Sequence, residues 1–175
     1  SRRNRHKIIF GASSSIARTI SGSGENSFFD YSGTWPFIQN LSTANHTIGF
    51  PIIGSPSVPF EIRPESGDLS FTSTFNNNNQ NIILYAPSGS TKSASFSGAI
   101  SGSGKFIVKN GLLGKISGLS TFTGDVEIDK GEFWLQNGAT LGIGTIYIGN
   151  GTATADVTKM WLDDADGGTT SSRVI

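Results

Sequence analysis

Two acidic residues near the end of the chain offer the clearest metal-binding chemistry in the sequence. In Asp163-Asp164-Ala165-Asp166-Gly167-Gly168, the carboxylates of Asp164 and Asp166 stand two positions apart before paired glycines. The first half of a calcium loop has the same spacing of oxygen ligands, but a complete twelve-residue loop ends on a glutamate that is missing here. Asp164 and Asp166 are therefore a weak calcium candidate beside the simpler interpretation of a solvated acidic turn, and no other cofactor is expected.

Catalytic chemistry has few candidates. Asp125, Glu127 and Asp129 alternate along one segment, and paired carboxylates are what a polysaccharide-degrading enzyme needs. The same row is the ordinary polar side of a strand, which is the interpretation we favour. His6 and His46 are isolated in the sequence, there is no cysteine, and no Gly-x-Ser-x-Gly motif occurs. We therefore predict no catalytic residue and no enzymatic activity.

Two tryptophans are candidates for a binding surface. In Gly131-Glu132-Phe133-Trp134-Leu135, alternation places Trp134 opposite Phe133 and Leu135. If the latter two are core residues, Trp134 lies on the outside, and Met160-Trp161-Leu162 poses the same question for Trp161. An outward row of tryptophans could stack on sugars or on a neighbouring molecule, while a buried or capped ring is the alternative for each.

Composition predicts the kind of element that must position these residues. The 175-residue chain has 23 glycines, 18 aromatic residues and a formal net charge of zero. Such a mixture disfavours helices and disorder and favours a folded all-β chain. Balanced charge argues against a nucleic-acid partner, and no apolar run approaches a membrane span. The basic run of Arg2, Arg3, Arg5, His6 and Lys7 is interpreted as a solvated terminus or the flank of a preceding segment, with a functional basic patch as the alternative.

Apolar segments recur along most of the chain at a nearly constant interval. The aligned residues are Ile62, Leu84, Val108, Ile128 and Ile148, with steps of 22, 24, 20 and 20 residues. About twenty residues suit one coil of a parallel β-solenoid, in which each strand stacks on its equivalent in the next coil. Asn-Gly turns such as Asn110-Gly111 could instead close antiparallel hairpins of a β-sandwich. The constant register of the apolar pairs favours the solenoid.

Residues 1–60 have a different character, because aromatic residues and prolines concentrate there. Proline removes ladder donors, so we predict an irregular region over 1–60 that forms a cap or an inserted loop, and solenoid coils over 61–175. The segment Ile20–Gly24 nevertheless repeats as Ile100–Gly104, which suggests an earlier copy of the same coil. Asn76–Asn79 is expected to form a loop between strands, with a ladder of stacked amides as the alternative.

A resemblance to a known family lies between Ile100 and Gly142. It rests on Gly102-Ser103-Gly104, Lys109, Ser117-Gly118, Thr121-Phe122-Thr123-Gly124, Gly131 and Leu135. These residues resemble the autotransporter-associated β-strand repeat of passenger domains and other long surface proteins of Gram-negative bacteria. Ser120 stands where that family usually has asparagine, and Phe122 where it usually has tyrosine. The resemblance implies a right-handed parallel β-helix on the outside of a cell, and it implies no reaction.

The expected protein is an all-β, right-handed parallel β-helix with an irregular N-terminal region, continuing beyond this fragment. We expect a structural or adhesive segment of a secreted or cell-surface bacterial protein, with self-association into a fibre as one outcome. Partners would be further copies or neighbouring segments of the same chain, or host and matrix glycans and proteins. A carbohydrate-binding module is the alternative function, and a polysaccharide-degrading β-helix enzyme is a weaker one.

Overall fold

The structure is a computed structural model that describes residues 3–29, 33–87, 89–109, 113–136, 144–149 and 159–162. Every regular element in these ranges is a β-strand. The described part of the chain contains no helix that is long and apolar enough to cross a membrane. The predicted all-β class is confirmed.

Within the described ranges, nineteen strands form three parallel sheets. Sheet A contains β1 (Arg3–Arg5), β4 (Asn26–Phe28), β7 (Ile52–Ile53), β10 (Phe75–Asn76) and β13 (Ile100–Ser101). Sheet B contains β2 (Lys7–Phe10), β5 (Phe37–Asn40), β8 (Phe60–Pro64), β11 (Ile82–Tyr85), β14 (Phe106–Lys109), β16 (Val126–Ile128) and β18 (Ile146–Ile148). Sheet C contains β3 (Thr19–Ser21), β6 (His46–Gly49), β9 (Leu69–Phe71), β12 (Ser93–Phe96), β15 (Leu113–Ile116), β17 (Glu132–Leu135) and β19 (Lys159–Leu162). Up to β15 the chain visits sheets A, B and C in turn, and from β15 to β19 the described strands alternate between sheets B and C. This coiling makes the molecule a β-solenoid.

The predicted register is confirmed in sheet B. Leu84 pairs with Ile62 on one side and with Val108 on the other, and the column continues to Ile128 and Ile148. These side chains point inward because side chains alternate between the two faces of a strand. Adjacent coils are separated by the inter-strand spacing of about 4.8 Å, so each aliphatic side chain packs on its equivalent in the next coil. This column is one wall of the core.

Phenylalanines join the walls across the interior. Phe106 is 0 % exposed and meets Phe96 and Phe133 edge-to-face, each with ring centroids 5.6 Å apart. Phe71 and Phe96 lie in neighbouring strands of sheet C and stack at 4.8 Å. Both geometries are favoured by the quadrupole of the aromatic ring. One continuous core therefore runs through the described coils.

The N-terminal part of the chain belongs to the solenoid, so the predicted boundary at residue 60 is wrong. Strands β1 to β7 lie within residues 3–53, and the inward column continues from Ile62 back through Ile38 to Ile8. Irregular structure is found in the connections, such as 11–18 and 54–59. Three prolines, Pro36, Pro51 and Pro59, each stand directly before a strand, where a missing N–H group does not interrupt the ladder.

The repeated Ile-Ser-Gly-Ser-Gly segment does not mark equivalent positions. Ile20 pairs with Ile48 in sheet C, whereas Ile100 pairs with Phe75 in sheet A. The two copies therefore form different corners of the solenoid. A strand end followed by small residues suits any corner, so sequence identity here reflects turn chemistry and not register.

Polar side chains at the corners bind the backbone of the next coil. Asn81 Oδ1 accepts a hydrogen bond from the backbone N–H of Lys105 at 2.9 Å, and Asp125 Oδ1 accepts one from Thr145 at 2.9 Å. Asp68 Oδ1 does the same for Ser93 at 2.8 Å. These acceptors stand next to a strand, so they satisfy donors that would otherwise lack a partner where the strand begins.

Asn76–Asn79 forms a corner, as the loop interpretation predicts. Asn78 and Asn79 have φ values of 51° and 63°, a left-handed conformation that asparagine tolerates better than most residues. The amides bind other coils without stacking on like amides: Asn77 Nδ2 donates to Gly104 O at 3.0 Å, and Asn79 Oδ1 accepts from Ser103 Oγ at 2.9 Å. The amide-ladder alternative is therefore wrong at this corner.

Candidate functional site

Trp134 lies on the outer face of sheet C, as the alternation predicts. Phe133 is fully buried and Leu135 packs against the core, so the residue between them points outward. The indole is half-buried, because the ammonium group of Lys115 lies 5.2 Å from its ring centroid. Its Nε1 donates to Glu132 Oε2 at 3.2 Å. A tryptophan face held by neighbouring charges is a partly covered platform for stacking.

The side chains in the outer column of sheet C become larger towards Trp134. In register order it contains Thr19, Thr47, Ser70, Ser95, Lys115, Trp134 and Trp161. The earlier coils therefore present small hydroxyl groups, with Ser95 Oγ donating to Ser70 Oγ at 3.2 Å. Trp161 follows Trp134 in the backbone register, but its side chain lies outside the described residues. Bulk on this face is thus concentrated in the later coils.

The acidic row Asp125-Glu127-Asp129 lies outside the core, and lysines of the preceding coil pair with two of its members. Glu127 Oε2 accepts a hydrogen bond from Lys105 Nζ at 3.2 Å, and Lys109 Nζ lies 3.9 Å from Asp129 Oδ2. The hydrogen bond to Glu127, with its negative charge, raises the pKa of Lys105. Asp125 Oδ1 instead accepts the backbone N–H of Thr145, so each carboxylate has a partner and the row is the polar face of a strand.

Tyr147 is an exposed aromatic residue that the sequence did not single out. It is 50 % exposed, and Lys105 Nζ lies 5.7 Å from its ring centroid. Tyr147 pairs with Glu127 in the register of sheet B, so it extends the outward row by one coil. The alternation of Ile146-Tyr147-Ile148 could have predicted that Tyr147 points outward, since the flanking isoleucines align with core columns.

The predicted calcium candidates lie in the C-terminal part of the chain. Asp164 and Asp166 lie outside the described residues. Within the described ranges there is no group of three histidine, cysteine, aspartate or glutamate side chains that could hold a metal ion. His6 Nδ1 lies 3.1 Å from the carbonyl oxygen of Phe29, whereas His46 is buried in strand β6 of sheet C.

His46 is an ionisable residue within the core. It is 1 % exposed, and its ring stacks on Phe10 with centroids 4.0 Å apart. Its Nδ1 accepts the backbone N–H of Arg18 at 3.1 Å, which assigns the proton of the neutral ring to Nε2. Burial is the main reason why the pKa of His46 is lowered below its ordinary value of 6.5. Protonation would remove the acceptor and place a charge among apolar groups.

We expect acid to destabilise the chain through His46. Because the folded-state pKa is lowered, the unfolded chain binds more protons below neutral pH. The contribution of the neutral His46 ring to the free energy of unfolding is complete above pH 6.5. It is lost as the pH falls from there through the folded-state pKa. Urea unfolding at a series of pH values measures this slope.

The matched variant for this prediction is His46→Leu. Leu69 occupies the next position in the same column, so leucine fits this environment. The variant should lose the part of the pH dependence that begins near 6.5. An identical slope in wild type and variant would assign the acid sensitivity to other groups.

The sequence analysis misplaced Arg5, a residue of the basic run at the N-terminus. Arg5 does not extend into solvent as predicted, because its side chain is half-buried between Asn26 and Phe50. Alternation alone could not find this, since it does not tell which face of a short strand is the inner one.

Comparison of the chain with models of known protein families, with curated proteins and with solved structures gave no match.

Proposed function

We propose that this chain is a non-enzymatic structural and adhesive segment of a secreted or cell-surface bacterial protein. The observation that carries the proposal is the unbroken inward column from Ile8 to Ile148, which stacks coil on coil along one axis. A stack of this kind extends by adding coils, so its length can grow without a new type of core. Such an element is suited to holding other groups at a distance from a surface.

The resemblance of Ile100–Gly142 to the autotransporter-associated β-strand repeat supports a location outside the cell. Several residues that carry the resemblance lie at or beside the corners of the solenoid. Gly104 and Gly124 lie one above the other at close backbone contacts, and Phe122 is buried in the core. Thr121 and Thr123 donate their N–H groups to Ile100 O and Gly102 O, both at 3.0 Å, so this segment lies alongside β13 without forming a regular strand.

Assembly into fibres belongs to the same proposal. Every strand of a parallel ladder has donors and acceptors along both edges, so two solenoids can pair end to end as two coils do. Electron microscopy of the purified full-length protein should then show elongated particles of several lengths. A single population of compact monomers would contradict assembly.

Trp134 supports a carbohydrate-binding module as the second candidate function. Its outward ring beside Lys115 and Glu132 combines an aromatic face with charged hydrogen-bonding groups. Sugars present both apolar ring faces and hydroxyl groups, so they suit such a surface.

One experiment separates the two candidates. Beads coated with the purified chain or with Trp134→Ala are washed over immobilised glycans and matrix proteins. Equal retention of both on a matrix protein supports adhesion by the rod, whereas retention on a glycan that is lost in the variant supports the carbohydrate-binding module. If neither bead is retained better than an albumin-coated bead, the adhesive function is wrong.

A further inference from the structure

A cavity opens beside the first coils, where the chain passes from β3 to β4. It has a volume of about 410 Å³ and is lined by Arg5, Ile20, the loop Ser21–Gly24, Asn26 and Phe50. A cavity of this size accommodates a small organic ligand. Arg5 is the one charged side chain among these lining residues.

Arg5 is directed towards the interior of the solenoid. It pairs in register with Phe28, which is fully buried, and its guanidinium carbon lies 5.5 Å from the ring centroid of Phe50. Its Nε donates to Asn26 Oδ1 at 2.7 Å. Asn26 is 4 % exposed, and its Nδ2 donates to Gly24 O at 2.8 Å, so the same amide holds both the arginine and the loop.

The positive charge of Arg5 has neutral neighbours. The contacts of its guanidinium among the described residues are an amide oxygen and an aromatic ring. Charged side chains removed from water are usually paired, because the loss of hydration must be offset by an opposite charge or by hydrogen bonds. With Nε engaged by Asn26, the two terminal nitrogens can form the planar fork that suits a carboxylate. The cavity thus has the electrostatics of an oxyanion site.

The remaining walls favour an anion that carries hydroxyl groups. Ser21 and Ser23 contribute small polar side chains, and the glycines between and after them leave the loop's peptide groups accessible. The volume exceeds what a single carboxylate fills. We propose that this cavity binds the carboxylate of an acidic monosaccharide unit, with Arg5 as the anion-binding residue and the Ser21–Gly24 loop facing the sugar hydroxyls. The site does not depend on the proposed rod function, because it is formed by the first coils alone.

The test is a titration of the purified, isotopically labelled chain followed by NMR at low ionic strength. The probes are sodium galacturonate, sodium phosphate and neutral galactose. We expect saturable shifts of the amides of Ser21–Gly24 and Asn26 with galacturonate, weaker ones with phosphate, and none with galactose. Equal affinity for phosphate and galacturonate would overturn the saccharide assignment and leave a simple anion site. No saturable shift with galacturonate would overturn the proposal.

Two pairs of variants test the residues. Arg5→Gln removes the charge and should weaken galacturonate binding about tenfold or more, while Arg18→Gln, an exposed arginine outside the lining, should not. Because Arg5→Gln could impair folding, Gly22→Glu provides a second test. A Cβ atom at Gly22 meets no atom within 4 Å, and neither does one at Gly11, so Gly11→Glu is the control.

A glutamate at position 22 should abolish binding by pairing with Arg5 and repelling the ligand, whereas Gly11→Glu should bind like wild type. Unchanged affinity in a folded Arg5→Gln or in Gly22→Glu would overturn the role of this cavity. The galacturonate titration and the bead experiment are independent. A failed titration therefore contradicts the cavity proposal and does not bear on the adhesive function.

Discussion

Replacement of Gly124 by alanine is expected to lower the free energy of unfolding by about 2–4 kcal/mol. A Cβ atom at this position would lie 2.0 Å from the carbonyl oxygen of Gly104 in the preceding coil. The same crowding recurs along the column, since a Cβ at Gly104 would lie 2.1 Å from Gln80 O and one at Gly144 would lie 1.9 Å from Gly124 O. The clashing atoms are backbone, so relief requires the coils to separate or shift.

The control is Gly11→Ala, because a Cβ at Gly11 meets nothing within 4 Å. Both variants replace glycine by alanine in a connection, so they share the change in unfolded-chain entropy. Urea unfolding followed by far-UV circular dichroism should show a lower midpoint for Gly124→Ala and a nearly unchanged one for Gly11→Ala. Equal midpoints would show that the coils tolerate a methyl group at this corner.

The second large effect is expected from Phe106→Ala, which should cost about 3–5 kcal/mol. Phe106 is 0 % exposed and joins Phe96 to Phe133 through two edge-to-face contacts at 5.6 Å. Its strand is held on both sides by parallel ladders to β11 and β16, so the surrounding coils cannot easily collapse into the cavity. The loss should therefore lie at the upper part of the range for buried aromatic residues.

Leu119→Ala serves as the control, since Leu119 is 73 % exposed. Because solenoid coils contact their neighbours only, Phe106→Ala could unfold the later coils before the earlier ones. Amide hydrogen exchange would then show lost protection around β14 and β16 first. Uniform protection in both variants would contradict a central role for this ring.

Several parts of the fold were predictable because they depend on local chemistry. The alignment of Ile62, Leu84, Val108, Ile128 and Ile148 required only that apolar residues recur at a constant interval, and the register follows that alignment. The N-terminal coils were missed because aromatic residues and prolines there suggested irregular structure. The step from Ile8 to Ile38 spans 30 residues, so longer connections hid the period.

The candidate site was predictable only in part. Alternation placed Trp134 outside and Phe133 inside because neighbouring residues in a strand point to opposite faces. The lysines that pair with Glu127 and Asp129 come from the preceding coil, about twenty positions away. Their pairing depends on which coils are adjacent, which local patterns do not contain.

Local sequence patterns were enough to establish that this chain is all-β, that equivalent strands of the central coils recur every twenty-odd residues, and which side chains of those coils form the core. Those properties follow from side-chain alternation and turn chemistry, which act over a few residues. The stacked coils were needed to establish that Ile20 and Ile100 lie in different sheets, and that Arg5 turns inward to Asn26 and Phe50. These contacts join residues of different coils, so they exist only once the coils have stacked.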